Sequence, residues 1–191
     1  MARVKNTPVP QLIAFAALSV PLAWISRASL GNPRSHGFYR FFAWEAIVGL
    51  FALNVRSWFR DPFSRHQAVS WTLLTVCLAP LVLGVRGLRA HGNQATSRPD
   101  DADLLAFEKT TALVDTGIYR YVRHPLYSSL LCLAWGIFFK APSRLGGLLA
   151  GAATAALVAT AKADEAECLR YFGPAYREYM ASTKRFVPFV F

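Results

Sequence analysis

The sequence predicts an all-α integral-membrane protein of about five transmembrane helices, the last two forming a helical hairpin, with an amphipathic C-terminal helix in the cytoplasm. Three observations predict it. Apolar residues make up 54% of the 191-residue chain and charged residues only 17%, a balance shifted towards lipid-soluble proteins. The apolar residues fall in stretches almost free of charge, and a helix needs roughly 20 of them to cross a bilayer. The polar residues fall between and after those stretches. The length suits one domain spanning 1–191.

The first stretch, Val9 to Ile25, carries no charge. Met1 to Lys5 is basic, as in a secretory signal, but Pro8, Pro10 and Pro21 interrupt the run and no small-residue cleavage site closes it, so a retained helix is expected. Phe41 to Val55 is the second span, charged only at Glu45, and Ala68 to Val85 is the third. Residues 1–90 thus read as a three-helix scaffold. The connection from Arg86 to Arg123 follows. Its His91–Pro99 portion is turn-rich, Asp100, Asp101 and Asp103 ahead of Leu104–Phe107 predict a short capped helix, and Gly117 marks a turn. Tyr127 to Phe139 and Leu145 to Ala161 face each other across Lys140–Arg144 as the hairpin. In the tail, Leu169, Phe172, Tyr176, Tyr179 and Met180 recur at helical spacing, with a break expected at Gly173-Pro174.

The net charge of +10 fits basic flanks meeting anionic headgroups rather than nucleic acid. Cys77, Cys132 and Cys168 have no paired spacing, so neither a disulfide nor a metal site is expected. With five spans, fourteen of the 21 basic residues lie on the side holding the long connection and the tail. The positive-inside rule makes that side cytoplasmic.

Four constellations are candidates for chemistry. In the first, Gly117 to Tyr127, Pro125 suits the first turn of a helix. The positive end of that helix, beside Arg123 and His124, favours a carboxylate or phosphate; the alternative is an anchor at headgroup level. The second, Asp164-Glu165-Ala166-Glu167, either caps the tail helix or binds an amine or ribose hydroxyls. The hairpin brings these two to the same membrane side, where opposite poles suit a zwitterionic ligand. The third is Tyr171 to Tyr179 with Lys184 to Phe189, either a packing face or, through Arg185, a headgroup contact. The fourth is Glu45, a carboxylate inside a span, which marks either an acceptor cleft or a structural pair with Arg86 or Arg89.

The first three constellations, in this order, resemble the isoprenylcysteine carboxyl methyltransferases and the related membrane phospholipid methyltransferases. The resemblance rests on Gly117 and Tyr119, Arg123-His124-Pro125-Leu126-Tyr127, Asp164-Glu165, Phe172-Gly173 with Tyr176 and Tyr179, and Arg185 with Pro188. It implies an S-adenosylmethionine-dependent methyltransferase whose residues 91–191 bind the cofactor. Leu113, Val114 and Tyr119 would line it, Arg123, His124 and Pro125 would approach its methionine part, Tyr127 would also be a cofactor contact, and Glu165 would be the acidic contact, with Glu167 as rival. Arg185 and Glu45 are the candidate catalytic residues. The implied partner is a lipophilic or lipid-linked acceptor presenting a carboxylate, amine or thiol. The implied location is a multi-pass membrane protein, in the cell inner membrane if the chain is bacterial, with its cofactor site facing the cytoplasm. The alternatives are a nicotinamide-dependent reductase of the sterol-reductase type and a non-catalytic membrane protein. The topology has a direct check: a reporter fused after Phe191 is active in the cytoplasm and silent when it requires export.

Overall fold

Ser35 starts the first long helix. Its hydroxyl accepts the Phe38 N–H at 3.2 Å, satisfying one of the donors a helix start leaves unpaired. In the computed structural model, which describes residues 9–93 and 109–189, the helices in order are α1 (Val9–Ile25), α2 (Arg27–Leu30), α3 (His36–Asn54), α4 (Arg65–Val76), α5 (Leu78–His91), α6 (Pro125–Phe138), α7 (Arg144–Phe172) and α8 (Pro174–Ser182). A 3₁₀ turn, Val55–Ser57, extends α3. Val122 and Lys184 form an isolated parallel bridge. Three segments are long and apolar enough to cross a membrane: His36–Ser57, Arg65–His91 and Arg144–Phe172; Gln11–Ile25 and Pro125–Phe138 are shorter apolar helices. The short helix expected after Asp100 lies outside the described residues.

The expected third span is two helices meeting at Cys77. Pro80 explains the joint: it has no N–H to give the Val76 carbonyl one turn back, so the regular ladder breaks there. The fifth span departs from expectation in the opposite sense. Nothing after Ala161 interrupts the helix, so α7 runs 29 residues, roughly 44 Å at 1.5 Å per residue. The span and the first part of the tail are one rod. It ends at Gly173, whose φ of 61° and ψ of −132° lie where only glycine sits without strain.

α3 packs along α7. Ala43, Ala46 and Leu50 meet Ala150, Ala153, Leu157 and Ala161, all buried, and the small side chains let the backbones approach closely. α6 closes the other flank through Ala134 and Ile137. Large apolar side chains on α1, α4 and α5, such as Ile13, Val20, Val76 and Leu83, are exposed, as lipid-facing positions would be.

At the end of the bundle where α3 stops and α7 starts, Lys140 departs from its expected place at the lipid boundary. Its side chain is 1% exposed. Its Nζ sits 3.4 Å from the centre of the Trp71 ring and donates to Gln67 Oε1 at 3.0 Å. Burial lowers its pKa from the ordinary lysine value. The Gln67 amide nitrogen in turn reaches the carbonyls of Ser57, Arg60 and Lys140. One amide therefore ties the α3–α4 connection to the hairpin turn. Gln67→Leu strands a buried ammonium and removes a donor from three carbonyls, so it is expected to cost about 2 kcal/mol or more. Thermal unfolding in detergent measures this, and an unchanged midpoint would show that the amide is dispensable.

Candidate functional site

At the other end of the bundle, four helix termini converge. Gly117, with φ of 61°, turns the chain into a short 3₁₀ segment, Gly117–Arg120, that buries Tyr119. The Tyr119 hydroxyl donates to the Gly84 carbonyl of α5 at 3.3 Å, and its own carbonyl accepts the Tyr179 hydroxyl of α8 at 2.7 Å. The chain then runs alongside the C-terminal segment. Lys184 N–H donates to Tyr121 O, Arg123 N–H to Lys184 O and His124 N–H to Arg185 O, at 2.8 to 3.2 Å. His124 occupies the N-cap of α6 and Pro125 its first turn, where the missing N–H costs nothing.

Three acidic side chains project from α7 to different tasks. Glu165 is buried, and its carboxylate takes Arg123 Nε at 3.0 Å, Arg185 Nε at 3.0 Å and Arg185 Nη2 at 2.6 Å. Arg123 also donates through Nη1 to the carbonyls of Met180 and Thr183. Asp164 accepts from the Tyr127 hydroxyl at 3.0 Å. Glu167, three residues on and so on the same helix face, accepts from both the backbone N–H and the Nδ1 of His36, at 2.8 and 2.7 Å.

His124 lies between two of these carboxylates, Nδ1 at 3.5 Å from Asp164 and Nε2 at 3.3 Å from Glu165. Its ring stacks on Tyr127 with centroids 5.3 Å apart. Burial works to lower its pKa, but the hydrogen bonds and charges of Asp164 and Glu165 outweigh that, and the net shift is upward from 6.5. Burial raises the phenol pKa values of Tyr176 and Tyr179, so both remain donors. The hydrogen bond to Glu165 holds the Arg185 pKa up.

These groups surround a cavity enclosing about 950 Å³ of atom-free space, its open mouth included. Leu113, Val114, Tyr119, Arg123, His124, Pro125, Tyr127 and Glu167, all singled out from the sequence, line it together. Glu165 and Arg185 are not among the lining residues; they stand behind Arg123 as the clamp on the C-terminal segment. Glu45 stands apart. It lies nine residues along α3 from His36, roughly 13 Å, and accepts the Ser19 hydroxyl at 2.6 Å, not an arginine of α5 as its structural alternative held. Its Oε1 is buried without a hydrogen-bond partner among the described residues. Sequence reasoning placed Asp164 in the acidic constellation but favoured Glu165 as the contact, and it left out His36; both Asp164 and His36 are on the cavity wall. The three-residue spacing of Asp164 to Glu167 signalled a shared face. For His36, at the start of the scaffold's second span, no pattern pointed to the site.

A raised His124 pKa means that the folded protein binds this proton more tightly than the unfolded chain does. Its contribution to stability is complete below pH 6.5 and is lost as pH rises through the higher folded-state value. Cofactor-free protein is therefore expected to unfold at a lower temperature as pH climbs above neutrality, and His124→Gln is expected to flatten that dependence. An identical pH profile in the variant would remove His124 as its source.

The wall combines a guanidinium, two carboxylates, an imidazole flanked by carboxylates, and apolar and aromatic faces, at the end of a bundle whose longest helices are membrane-spanning in length and composition. That inventory suits a small zwitterionic ligand with an apolar moiety. No curated protein and no solved structure matches the chain. The phospholipid methyltransferase family matches residues 73–173, the stretch that carries α5, Arg123-His124-Pro125, the hairpin and the three acidic residues. With over half its length matched there, the chain belongs to the phospholipid methyltransferase family, whose members are membrane methyltransferases.

Proposed function

We propose that the chain is an S-adenosylmethionine-dependent methyltransferase that crosses the membrane five times and modifies a lipophilic or lipid-linked acceptor at the cytoplasmic face. The observation that carries this is the opposition, on one wall, of Arg123 and the positive end of α6 to Asp164 and Glu167, with apolar residues between. In this reading Arg123 and the first turn of α6 hold the carboxylate of the cofactor. Asp164 holds its amine or ribose hydroxyls. Leu113, Val114 and Tyr119 cover the adenine. When bound, the cofactor supplies a methyl group already activated on a positively charged sulfur.

The residues therefore have to position and desolvate rather than activate the donor, and close orientation alone accounts for a large share of such a rate. Glu165 serves indirectly. By engaging Arg123 and Arg185 together it fixes the guanidinium that faces the ligand and holds Lys184–Phe186 across α6, where Ser128 Oγ donates to Phe186 O at 2.7 Å. Arg185 is thus a positioning residue. Glu45, remote from the cavity, has no part in the reaction. The cytoplasmic orientation rests on the bias of basic residues towards this end, and the acceptor's lipid character on the family and on the apolar helices flanking the cavity.

Calorimetric titration of the detergent-purified protein with S-adenosylhomocysteine is expected to saturate at one site. Asp164→Asn is expected to weaken binding at least about tenfold, the loss of a charge-assisted hydrogen bond, and Glu45→Gln to leave it unchanged. Incubating native membranes with methyl-labelled cofactor should place the label in the lipid fraction. Folded wild-type protein with no saturable binding would overturn the assignment.

A further inference from the structure

The cavity wall holds two histidines in opposite electrostatic settings. His124 has a carboxylate near each ring nitrogen, a setting that favours the doubly protonated ring. His36 has a carboxylate at one nitrogen and a cation at the other: Glu167 at 2.7 Å from Nδ1, and Arg40 Nη1 at 3.4 Å from Nε2. With Glu167 accepting at Nδ1, a guanidinium N–H directed at Nε2 corresponds to the tautomer that carries its proton on Nδ1 and its lone pair on Nε2.

The support behind His36 is rigid. Glu167 binds it twice, through the side chain and through the backbone N–H at the start of α3, so neither the ring nor the carboxylate swings freely. A carboxylate on Nδ1–H fixes the tautomer and stabilises the imidazolium that forms when Nε2 takes a proton. The His36 side chain is 1% exposed, so the cavity it lines is its route to a ligand.

We propose that His36, oriented by Glu167, accepts the proton of an ammonium acceptor at this cavity, a role that rests on methyl transfer occurring here. An ammonium carries its proton on the atom that must attack and has no lone pair until it loses it. In the step, the N–H bond breaks and its electron pair stays on the acceptor nitrogen. The proton forms a bond to His36 Nε2, displacing the long contact from Arg40. The positive charge passes to an imidazolium beside Glu167, with Asp164 on the same face of α7. Arg40 of α3 and Glu167 of α7 face the ring nitrogens, and Asp164, Arg123 and His124 share the cavity wall with it. The scaffold half of the chain thus supplies a group that acts in the reaction: His36 lies outside the family-matched stretch.

The test is run on full-length protein in detergent with His36→Gln and Glu167→Gln. Nitrogen-15 NMR of histidine-labelled, cofactor-free wild-type protein is expected to show His36 Nε2 unprotonated and His124 protonated on both nitrogens. S-Adenosylhomocysteine affinity is expected to change less than about threefold in His36→Gln, while kcat with an aminophospholipid falls about 10²- to 10⁴-fold. That loss should shrink as pH rises towards the pKa of the amine, and added imidazole should restore part of the rate in His36→Ala. A protonated Nε2, an unchanged aminophospholipid rate in His36→Gln, or wild-type transfer to thiol or carboxylate acceptors alone overturns the proposal while leaving methyl transfer in place. Wild-type protein that does not bind S-adenosylhomocysteine overturns both.

Discussion

The arrangement at the cavity depends on one carboxylate. Glu165 is buried in α7 and takes hydrogen bonds from two guanidiniums that belong to different parts of the chain, Arg123 before α6 and Arg185 in the C-terminal segment. A buried carboxylate with no cationic partner would be costly, and removing either partner of such a pair commonly destabilises by several kcal/mol. The fold meets the constraint by bringing all three elements to one point. From that follow the parallel backbone pairing of Tyr121–His124 with Lys184–Arg185, the closure of α8 over Tyr119, and the placement of Arg123 on the cavity wall. His124 fills the remaining side of the same carboxylate and carries the effect to Asp164.

The bundle is fixed at both ends by different means. At the cavity end the ties are ionic and involve the tail. At the far end they are mostly neutral side chains reaching backbone carbonyls, Gln67, Asn54 and Ser70, with one cation held against tryptophan rings, Lys140. Between them the α3–α7 contact is dominated by alanine and leucine. The polar contacts gather towards the two ends; among the described residues, those of Glu45 with Ser19 and Trp135 with Thr154 are made along the helices between.

Much of this was legible in the sequence because membrane spans and helix starts have strong local signatures. The apolar stretches, the hairpin turn at Lys140–Arg144, Pro125 at a helix start and the break at Gly173 each follow from a single residue's or segment's physics. The grouping of Arg123, His124 and the acidic cluster followed from the hairpin alone. What the sequence hid were matters of long-range partnership. Whether Asp164, Glu165 or Glu167 faces the ligand is a question of rotation about α7, and adjacent residues on a helix point about 100° apart. The pairing of His36 with Glu167 spans 131 positions and obeys no periodic pattern. Lys140 read as a boundary charge because its cage is assembled from residues on α4. The continuity of α7 was missed for a simpler reason: polarity changes at Lys162 but helix propensity does not.

That continuity ties the site to the membrane. Ala150 and Ala153, deep in the bundle, and Asp164 and Glu167, on the cavity wall, are points on a single rod with no hinge between them. Helices longer than the hydrocarbon core accommodate a change in bilayer thickness chiefly by tilting. A tilt of α7 carries the acidic wall with it and, through the ion pairs of Glu165, carries Arg123 and the C-terminal strap as well. The two poles of the cavity are therefore expected to stay in register as bilayer thickness changes, the site moving as one body with α7.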